Sequence, residues 1–277
     1  MFIKHYQHFN SNANHLKVDI YNSGYAELNQ DKLSHDFAGS MCRLYFIESG
    51  EGEIAGNDQA IHFRPGHVYF IPSGVSWNMQ FRVTIRKFFV DLNVFKPDGE
   101  NLFEDCSSIL EIPFPEDKLA QTIEWYLSEQ TEKMFFVKSV VYQLLAEIIR
   151  ASRIESPTVK YHPIVLDSLK YIQKHLSLKL TVQVLAERNF VSKSFLSSQF
   201  KKEIGVSVGQ YIDTRIVMQA KIELEQQKMS VAEISEQFGF CDQFYFSRFF
   251  KRHTGETPSQ YRSHYTAQDY YLSKDEE

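Results

Sequence analysis

The stretch that decides the fold is residues 230–261, SVAEISEQFGFCDQFYFSRFFKRHTGETPSQY. Ser230, with a glutamate three residues later, predicts the start of a helix, and Gly239 predicts its end. Asp242 predicts the start of a second helix, which Gly255 ends. The stretch therefore predicts two helices joined by a tight turn, with polar and basic residues along the second helix.

The same signature occurs a second time, at residues 181–211, with one residue fewer. The matched pairs are Thr181 and Ser230, Leu185 and Ile234, Phe190 and Phe240, Phe200 and Phe250, Gly205 and Gly255, and Tyr211 and Tyr261. Two copies are too few for a solenoid, so we expect two related helix-turn-helix units. In such a unit the second helix enters a major groove of DNA.

Between the two copies, residues 208–227 form a near-continuous helical pattern without proline. At 1.5 Å per residue this helix spans roughly 30 Å, close to the roughly 34 Å of one turn of duplex DNA. We therefore expect two recognition helices that enter successive major grooves, so that one chain reads a bipartite site.

About a hundred C-terminal residues resemble the AraC family of bacterial transcription regulators, above all residues 234–252 (ISEQFGFCDQFYFSRFFKR) and 255–262 (GETPSQYR). The resemblance implies a cupin-like effector or dimerisation domain in front of the two helix-turn-helix units. It also implies sequence-specific promoter binding, usually with activation through RNA polymerase and control by a small molecule.

The resemblance implies DNA contacts position by position along the second recognition helix. Gln243 and Arg248 are placed at base edges, where glutamine suits adenine and arginine suits guanine. Tyr245, together with Lys251 or Arg252, is placed near phosphates.

The first recognition helix carries shorter side chains at the base-facing positions. These are Ser194, Ser197 and Ser198, with Lys193 and Lys201 placed to hold the DNA backbone. Short hydroxyls reach few base atoms directly, so we expect water-mediated or shape readout from this unit.

Charge divides the chain into two halves. Residues 1–159 carry 14 Lys and Arg against 21 Asp and Glu, whereas residues 160–265 carry 15 against 10. A basic second half favours a C-terminal part that binds a polyanion.

The 277 residues contain no apolar run long enough to span a membrane and no visible export signal, so we expect a cytoplasmic protein without membrane contact. The three cysteines are widely spaced and in no metal-binding pattern.

The first half reads as short strands separated by turn residues. The runs lie at residues 43–47, 53–55, 60–63, 67–71 and 84–94. Short strands at this spacing predict a sandwich or a small barrel. The expected fold class is two-domain α+β: an N-terminal cupin-like β-barrel with a helical hairpin, and an all-α C-terminal domain with a double helix-turn-helix.

One spacing in the first half is more specific, that of Gly66, Pro72, Gly74 and Trp77. It resembles the second sequence motif of the cupin superfamily, in which the position of Trp77 is commonly a metal-binding histidine. An indole has no lone pair for a metal, and the histidines nearby show no HxH spacing. We therefore expect no metal, no cofactor and no catalytic residue.

A cupin barrel without its metal still encloses a cavity for one small ligand. The expected lining residues are Arg43, Tyr45, His62, Tyr69 and Trp77. An indole face suits a sugar ring and a guanidinium suits a carboxylate, so a sugar or an organic acid is the expected effector. Alternation alone leaves open which face of each strand looks inward.

Beyond the strands, the hydrophobic period becomes helical. Val137, Val141, Leu144 and Ile148 line one face of a helix, and residues 117–131 predict its antiparallel partner. Two interpretations stay open: the helix pair covers the barrel, or the seam pairs with a second copy of the chain in a homodimer.

These patterns predict the domain boundaries. The first domain spans residues 1–155, with the barrel to about 115 and the helices at about 117–153. A linker at 156–163, the DNA-binding domain at 164–265 and an acidic tail at 266–277 follow.

Three functions remain in competition. The preferred one is a transcription activator whose partners are promoter DNA, a small-molecule effector, RNA polymerase and a second copy of the chain. The first alternative is a cupin enzyme with a DNA-binding appendage, against which Trp77 argues. In the second alternative the barrel binds no small ligand and only dimerises or binds a protein partner.

Overall fold

The computed structural model describes residues 16–28, 37–56, 59–154 and 161–266. The chain divides into two compact units; among described residues, one holds 18–93 and 103–154, and the other holds 16–17, 94–102 and 161–266. Most of the predicted linker and nearly all of the predicted tail lie outside the described residues. The segment 94–102, which the sequence assigns to the first domain, groups with the helical unit, and Tyr161 and Tyr211 donate hydrogen bonds of 2.7 and 2.6 Å to Asp98 within it.

The strands of the first unit form two antiparallel sheets. They are β1 (Lys17–Leu28), β2 (Phe37–Ala38), β3 (Cys42–Ser49), β4 (Gly52–Gly56), β5 (Gln59–Phe63), β6 (His67–Ile71), β7 (Ser76–Phe81), β8 (Ile85–Phe95) and β9 (Leu110–Pro113). One sheet has the order β1-β8-β3-β6-β9 and the other has the order β2-β7-β4-β5. The turn from Pro72 to Val75 carries the chain from the first sheet to the second.

The core of this unit lies between the two sheets. In β7 the side chains of Trp77, Met79 and Phe81 are buried, and the residues between them are more exposed, as expected for a strand with one face inward. They pack in one cluster with residues of the opposite sheet such as Tyr45 and Ile47. The small barrel predicted from the sequence is confirmed.

A helical hairpin, α1 (Glu116–Leu127) and α2 (Thr131–Ala151), packs on the outside of the five-stranded sheet. Tyr126 of α1 lies 4.9 Å from Phe88 of β8, ring centre to ring centre. All four seam residues are buried inside this unit: Val137, Val141, Leu144 and Ile148. The structure therefore uses this seam to cover the barrel, and the face of α2 that remains exposed is a different one.

The second unit is helical. Its helices are α3 (Pro163–Lys174), α4 (Val182–Arg188), α5 (Lys193–Ile204), α6 (Val208–Gln226), α7 (Val231–Gln237), α8 (Gln243–Thr254) and α9 (Pro258–Thr266). Their shared core includes Leu196, Phe200, Phe246 and Phe250, each fully shielded from solvent. The predicted long connector is α6, whose 19 residues give a length of about 28 Å.

Candidate nucleic-acid interface and barrel interior

The sequence repeat folds into two helix-turn-helix units, α4 with α5 and α7 with α8. At each helix start a polar side chain accepts a hydrogen bond from the backbone N–H three residues later; these side chains are Thr181, Ser192, Ser230 and Asp242. The two recognition helices, α5 and α8, end alike at Gly205 and Gly255, where φ is +85° and +90°. Both recognition helices therefore begin and end at positions fixed by local chemistry.

A buried aromatic pair anchors each recognition helix to the helix that follows it. Phe200 and Tyr211 meet edge to face with ring centres 5.5 Å apart, and Phe250 and Tyr261 meet in the same way at 5.6 Å. The interplanar angle is 73° in both pairs. Because the anchors match, a residue of α5 and the residue 50 positions later in α8 occupy equivalent positions.

The turns of the two units correct the sequence alignment. Phe190 has a φ of +55° and corresponds to Gly239, with a φ of +74°, not to Phe240 as the residue types suggested. Phe240 is buried and takes the position of Val191, whereas Phe190 is 97% exposed. The extra residue of the second unit is Cys241, just before the cap of α8.

On α5, the face opposite the core carries the side chains predicted to meet DNA. All five of them are exposed: Lys193, Ser194, Ser197, Ser198 and Lys201. Leu196 and Phe200 turn the other face of the helix into the core. The available surface of this helix is therefore short hydroxyls flanked by two ammonium groups.

On α8, the predicted residues are exposed as well, but their side chains are longer. They are Gln243, Tyr245, Arg248, Lys251 and Arg252. The Arg248 guanidinium lies 6.0 Å from the centre of the Tyr245 ring, one turn earlier on the same face. This helix therefore presents groups that can donate to several bases and phosphates at once.

The interior of the barrel brings together three of the five predicted effector residues. Tyr45 and Trp77 meet edge to face with ring centres 5.6 Å apart, and the Arg43 guanidinium lies 5.7 Å from the centre of the Trp77 ring. All three are more than nine-tenths buried. Arg43 also lies 3.3 Å from a carboxylate oxygen of Asp91, which the sequence did not single out.

The other two predicted effector residues differ from each other. Tyr69 lies in the same core cluster, opposite Tyr45 in the β3–β6 ladder, but its hydroxyl donates to Glu111 at 3.1 Å and accepts from the Arg64 N–H at 3.1 Å. Burial raises the pKa of Tyr69, so it remains a neutral core residue. The His62 side chain is 62% exposed and points away from the core, since Phe63 next to it points inward.

The sequence also missed Lys87, a second cation inside the barrel. Its ammonium lies 3.5 Å from the centre of the Tyr45 ring, and only 7% of the residue is exposed. The sequence Ile-Arg-Lys-Phe-Phe alone does not show which of the two basic residues points inward. The pairing of the strand with its neighbour determines that Lys87 does. Burial lowers the pKa of Lys87 to about 7.

Within the described ranges, no group of three or more His, Cys, Asp or Glu side chains is arranged to hold a metal ion. No helix among the same residues has the length and apolar character needed to cross a membrane.

A helix-turn-helix domain model matches residues 185–264, which contain both recognition helices. The regulatory protein SoxS of Escherichia coli is 30% identical over 104 residues, which are 38% of this chain and 97% of SoxS. The chain belongs to the AraC family of transcription regulators. It is therefore a DNA-binding transcription regulator.

Longer relatives extend the similarity of this AraC-family chain into its first half. The Msm operon regulatory protein of Streptococcus mutans is 23% identical over 274 residues, 93% of this chain and 96% of the relative. The arabinose operon regulatory protein of Escherichia coli is 25% identical over 231 residues, 77% of each chain. These relatives are regulators, which weighs against the enzyme interpretation.

Helix α8 exposes one further large side chain that sequence analysis left unassigned. Phe244 is 67% exposed on the first turn of α8, one turn before Arg248. It corresponds to Ser194 of α5, which the family resemblance places at base edges. A phenylalanine looks like core in a sequence this rich in buried aromatics, and only the position of the cap at Asp242 turns it outward.

Proposed function

We propose that this AraC-family regulator is an activator that binds promoter DNA as a homodimer in the cytoplasm, contacts RNA polymerase and responds to a small molecule held in its barrel. The observation that carries the proposal is the pair of equivalent recognition helices, each held by the same anchor and each exposing its predicted DNA contacts. Among its relatives are the regulators of two operons, which supports action at a promoter.

The two recognition helices divide the work unequally in this proposal. In α8, Gln243 and Arg248 read base edges, and each good pair contributes about 1–3 kcal/mol of discrimination. Lys251 and Arg252, with Tyr245, hold phosphates, which positions the helix but carries no sequence information.

Phe244 is the third base reader of α8. Its ring has no hydrogen-bonding atom, and the base feature that it suits in the major groove is the methyl group of thymine. Since Phe244 lies on the same face as Arg248, the two residues read neighbouring base pairs, a thymine beside a guanine.

In α5, Ser194, Ser197 and Ser198 contribute water-mediated or shape readout, while Lys193 and Lys201 hold the backbone. The short side chains leave room for ordered water between helix and bases, and such water can transmit specificity. The first unit therefore contributes mainly affinity and the second unit mainly sequence choice.

The exposed face of α2 supports the homodimer. Phe135 is 68% exposed and Tyr142 is 53% exposed, and their spacing of seven residues places them on the same face. Aromatic residues of this kind are enriched in interfaces and depleted elsewhere on surfaces. Pairing of two copies through this face brings two chains, and hence four recognition helices, to one promoter.

The effector part of the proposal rests on the aromatic and charged group inside the barrel. Arg43, Tyr45 and Trp77 are buried together between the sheets, and the Trp77 ring contacts both of the other side chains. This arrangement offers a stacking surface and a strong hydrogen-bond donor to one small molecule.

The deciding experiment uses a duplex selected from a random library by the purified full-length protein, and a scrambled duplex of the same composition. We expect Arg248→Ala to lose about 1–3 kcal/mol on the selected duplex and little on the scrambled one. Lys251→Ala is the matched control: it should weaken both duplexes alike and reduce the salt dependence of binding by about one phosphate contact. Failure to enrich any sequence, or equal loss on both duplexes for Arg248→Ala, contradicts the proposal.

A further inference from the structure

The inner face of the β3–β8 pair carries three charged side chains, Arg43, Asp91 and Lys87, on a short stretch of the two strands. The strand register places Arg43 opposite Asp91 and Ile47 opposite Lys87, with Tyr45 between them. Side chains alternate along a strand, so these residues all point to the same face. That face is the interior, because Tyr45 and Ile47 belong to the core cluster that also contains Trp77.

All three charged residues are deeply buried: Arg43 is 8% exposed, Lys87 is 7% exposed and Asp91 is 7% exposed. The Arg43 guanidinium approaches Asp91 at 3.3 Å. Lys87 has no such partner, since among the described residues its ammonium makes neither an ion pair nor a hydrogen bond and lies 3.5 Å from the Tyr45 ring. The group thus holds two cations and one carboxylate in the interior.

An unbalanced cation inside a protein costs free energy, because burial removes its water and nothing replaces the lost solvation. The cation–π contact with Tyr45 offsets part of this cost but provides no counter-charge. An apolar residue would stabilise the barrel better at this position. A buried cation of this kind, next to aromatic rings, is a candidate for binding an anion.

We propose that Lys87 is the anion-binding residue of the barrel and that the effector is a monocarboxylate. One carboxylate brings the cluster of Arg43, Lys87 and Asp91 to neutrality, and the rings of Tyr45 and Trp77 pack against the body of the acid. This inference rests on the proposed effector function of the barrel and names its ligand class.

The test measures the melting temperature of the full-length protein with matched acid and neutral probes at constant ionic strength. The pairs are acetate and acetamide, benzoate and benzamide, and glucuronate and glucose. At a roughly hundredfold excess over its Kd, a bound acid should raise the melting temperature by about 5 °C, and its neutral counterpart should not.

Three variants sharpen the test. Lys87→Met should remove the response to the acid and raise the melting temperature of the ligand-free protein, since the buried charge is gone. Asp91→Asn should move the loss of the acid response to lower pH, because Asp91 is the group that raises the pKa of Lys87. Lys118→Met is the control, since Lys118 lies over the Phe114 ring on the outside of the barrel at 5.1 Å and should change nothing.

A pH series on the wild-type protein provides a readout that does not depend on the folding of a variant. Arg43 and Asp91 are the charged groups whose fields act on Lys87; burial and Arg43 lower its pKa to about 7, and Asp91 opposes them. The ammonium is therefore lost as the pH rises through 7, and the response to the acid should fall between about pH 6 and pH 8.

Equal responses to acid and neutral probes, an unchanged response in Lys87→Met, or no response to any acid would each overturn the inference. Binding to the selected duplex, measured by fluorescence anisotropy in the same samples, separates this outcome from failure of the regulator function. A protein that binds its duplex but ignores every acid remains a regulator, and its barrel then does not bind through Lys87.

Discussion

Phe190 offers a test of how backbone conformation shapes the first helix-turn-helix unit. Its φ of +55° lies in the left-handed region, which costs an L-residue about 1–2 kcal/mol, and its ring is 97% exposed, so packing returns almost nothing. Phe190→Gly removes the backbone cost but loses about 0.5–1 kcal/mol to the greater freedom of glycine in the unfolded chain. We expect a net gain in the free energy of unfolding of about 0.5–1 kcal/mol.

The assay is urea denaturation followed by circular dichroism at 222 nm, and two further variants control it. Phe190→Ala keeps the left-handed cost and should change stability by less than about 0.5 kcal/mol. Gly239→Ala, at the equivalent position, should destabilise by about 1–2 kcal/mol, because it gains that cost and its Cβ would lie 2.5 Å from the Ser177 hydroxyl. If Phe190→Gly destabilises the protein while Phe190→Ala does not, the strain argument fails.

Three more predictions concern α8 and α2. Replacing the thymines of the selected duplex by uracil removes only the methyl groups. This should weaken DNA binding by the wild-type protein about fourfold per contacted base and should not change the binding of Phe244→Ala. An equal loss of affinity in both proteins would exclude Phe244 as the thymine reader. The N–H of Tyr245 lowers the pKa of Asp242, so this cap stabilises α8 above the ordinary pKa of aspartate and loses its effect as the pH falls through the lowered value. Asp242→Asn should therefore show a flatter dependence of stability on pH between about 5 and 3 in urea titrations, and an unchanged dependence would count against the cap. Tyr142→Lys should shift the full-length protein from dimer to monomer in analytical ultracentrifugation. Phe136→Lys is the control: Phe136 packs on Trp125 of the same hairpin, so this substitution should leave the dimer intact.

Much of the helical unit can be predicted because its signals are local. Ser230, Asp242 and Gly255 act within one turn of the chain, and each marks a helix end by chemistry that the sequence shows directly. The alignment of the two turns was wrong at Phe190, because it matched Phe190 to Phe240 by residue type, whereas the residue with the same backbone conformation is Gly239.

The barrel could be predicted only in part, since strand pairing is not local. Buried and exposed residues alternate along β7, but sequence analysis used this segment only as the end of the Gly66–Trp77 motif. β1 carries Asn22, Ser23 and Gly24 in its middle, and these residue types ordinarily indicate a loop. Register decides which side chains face inward, so His62 was expected inside and Lys87 was overlooked.

The serines of α5 and the long side chains of α8 have a consequence for the genes under this control. Under the proposed division between the two helices, substitutions in the half of an operator under α5 disturb few direct contacts, whereas those under α8 each remove a defined pairing. Promoters can therefore drift in one half while the other stays fixed, and a collection of operators should show a lopsided consensus. New genes can come under such control by acquiring only the invariant half together with a permissive, bendable flank.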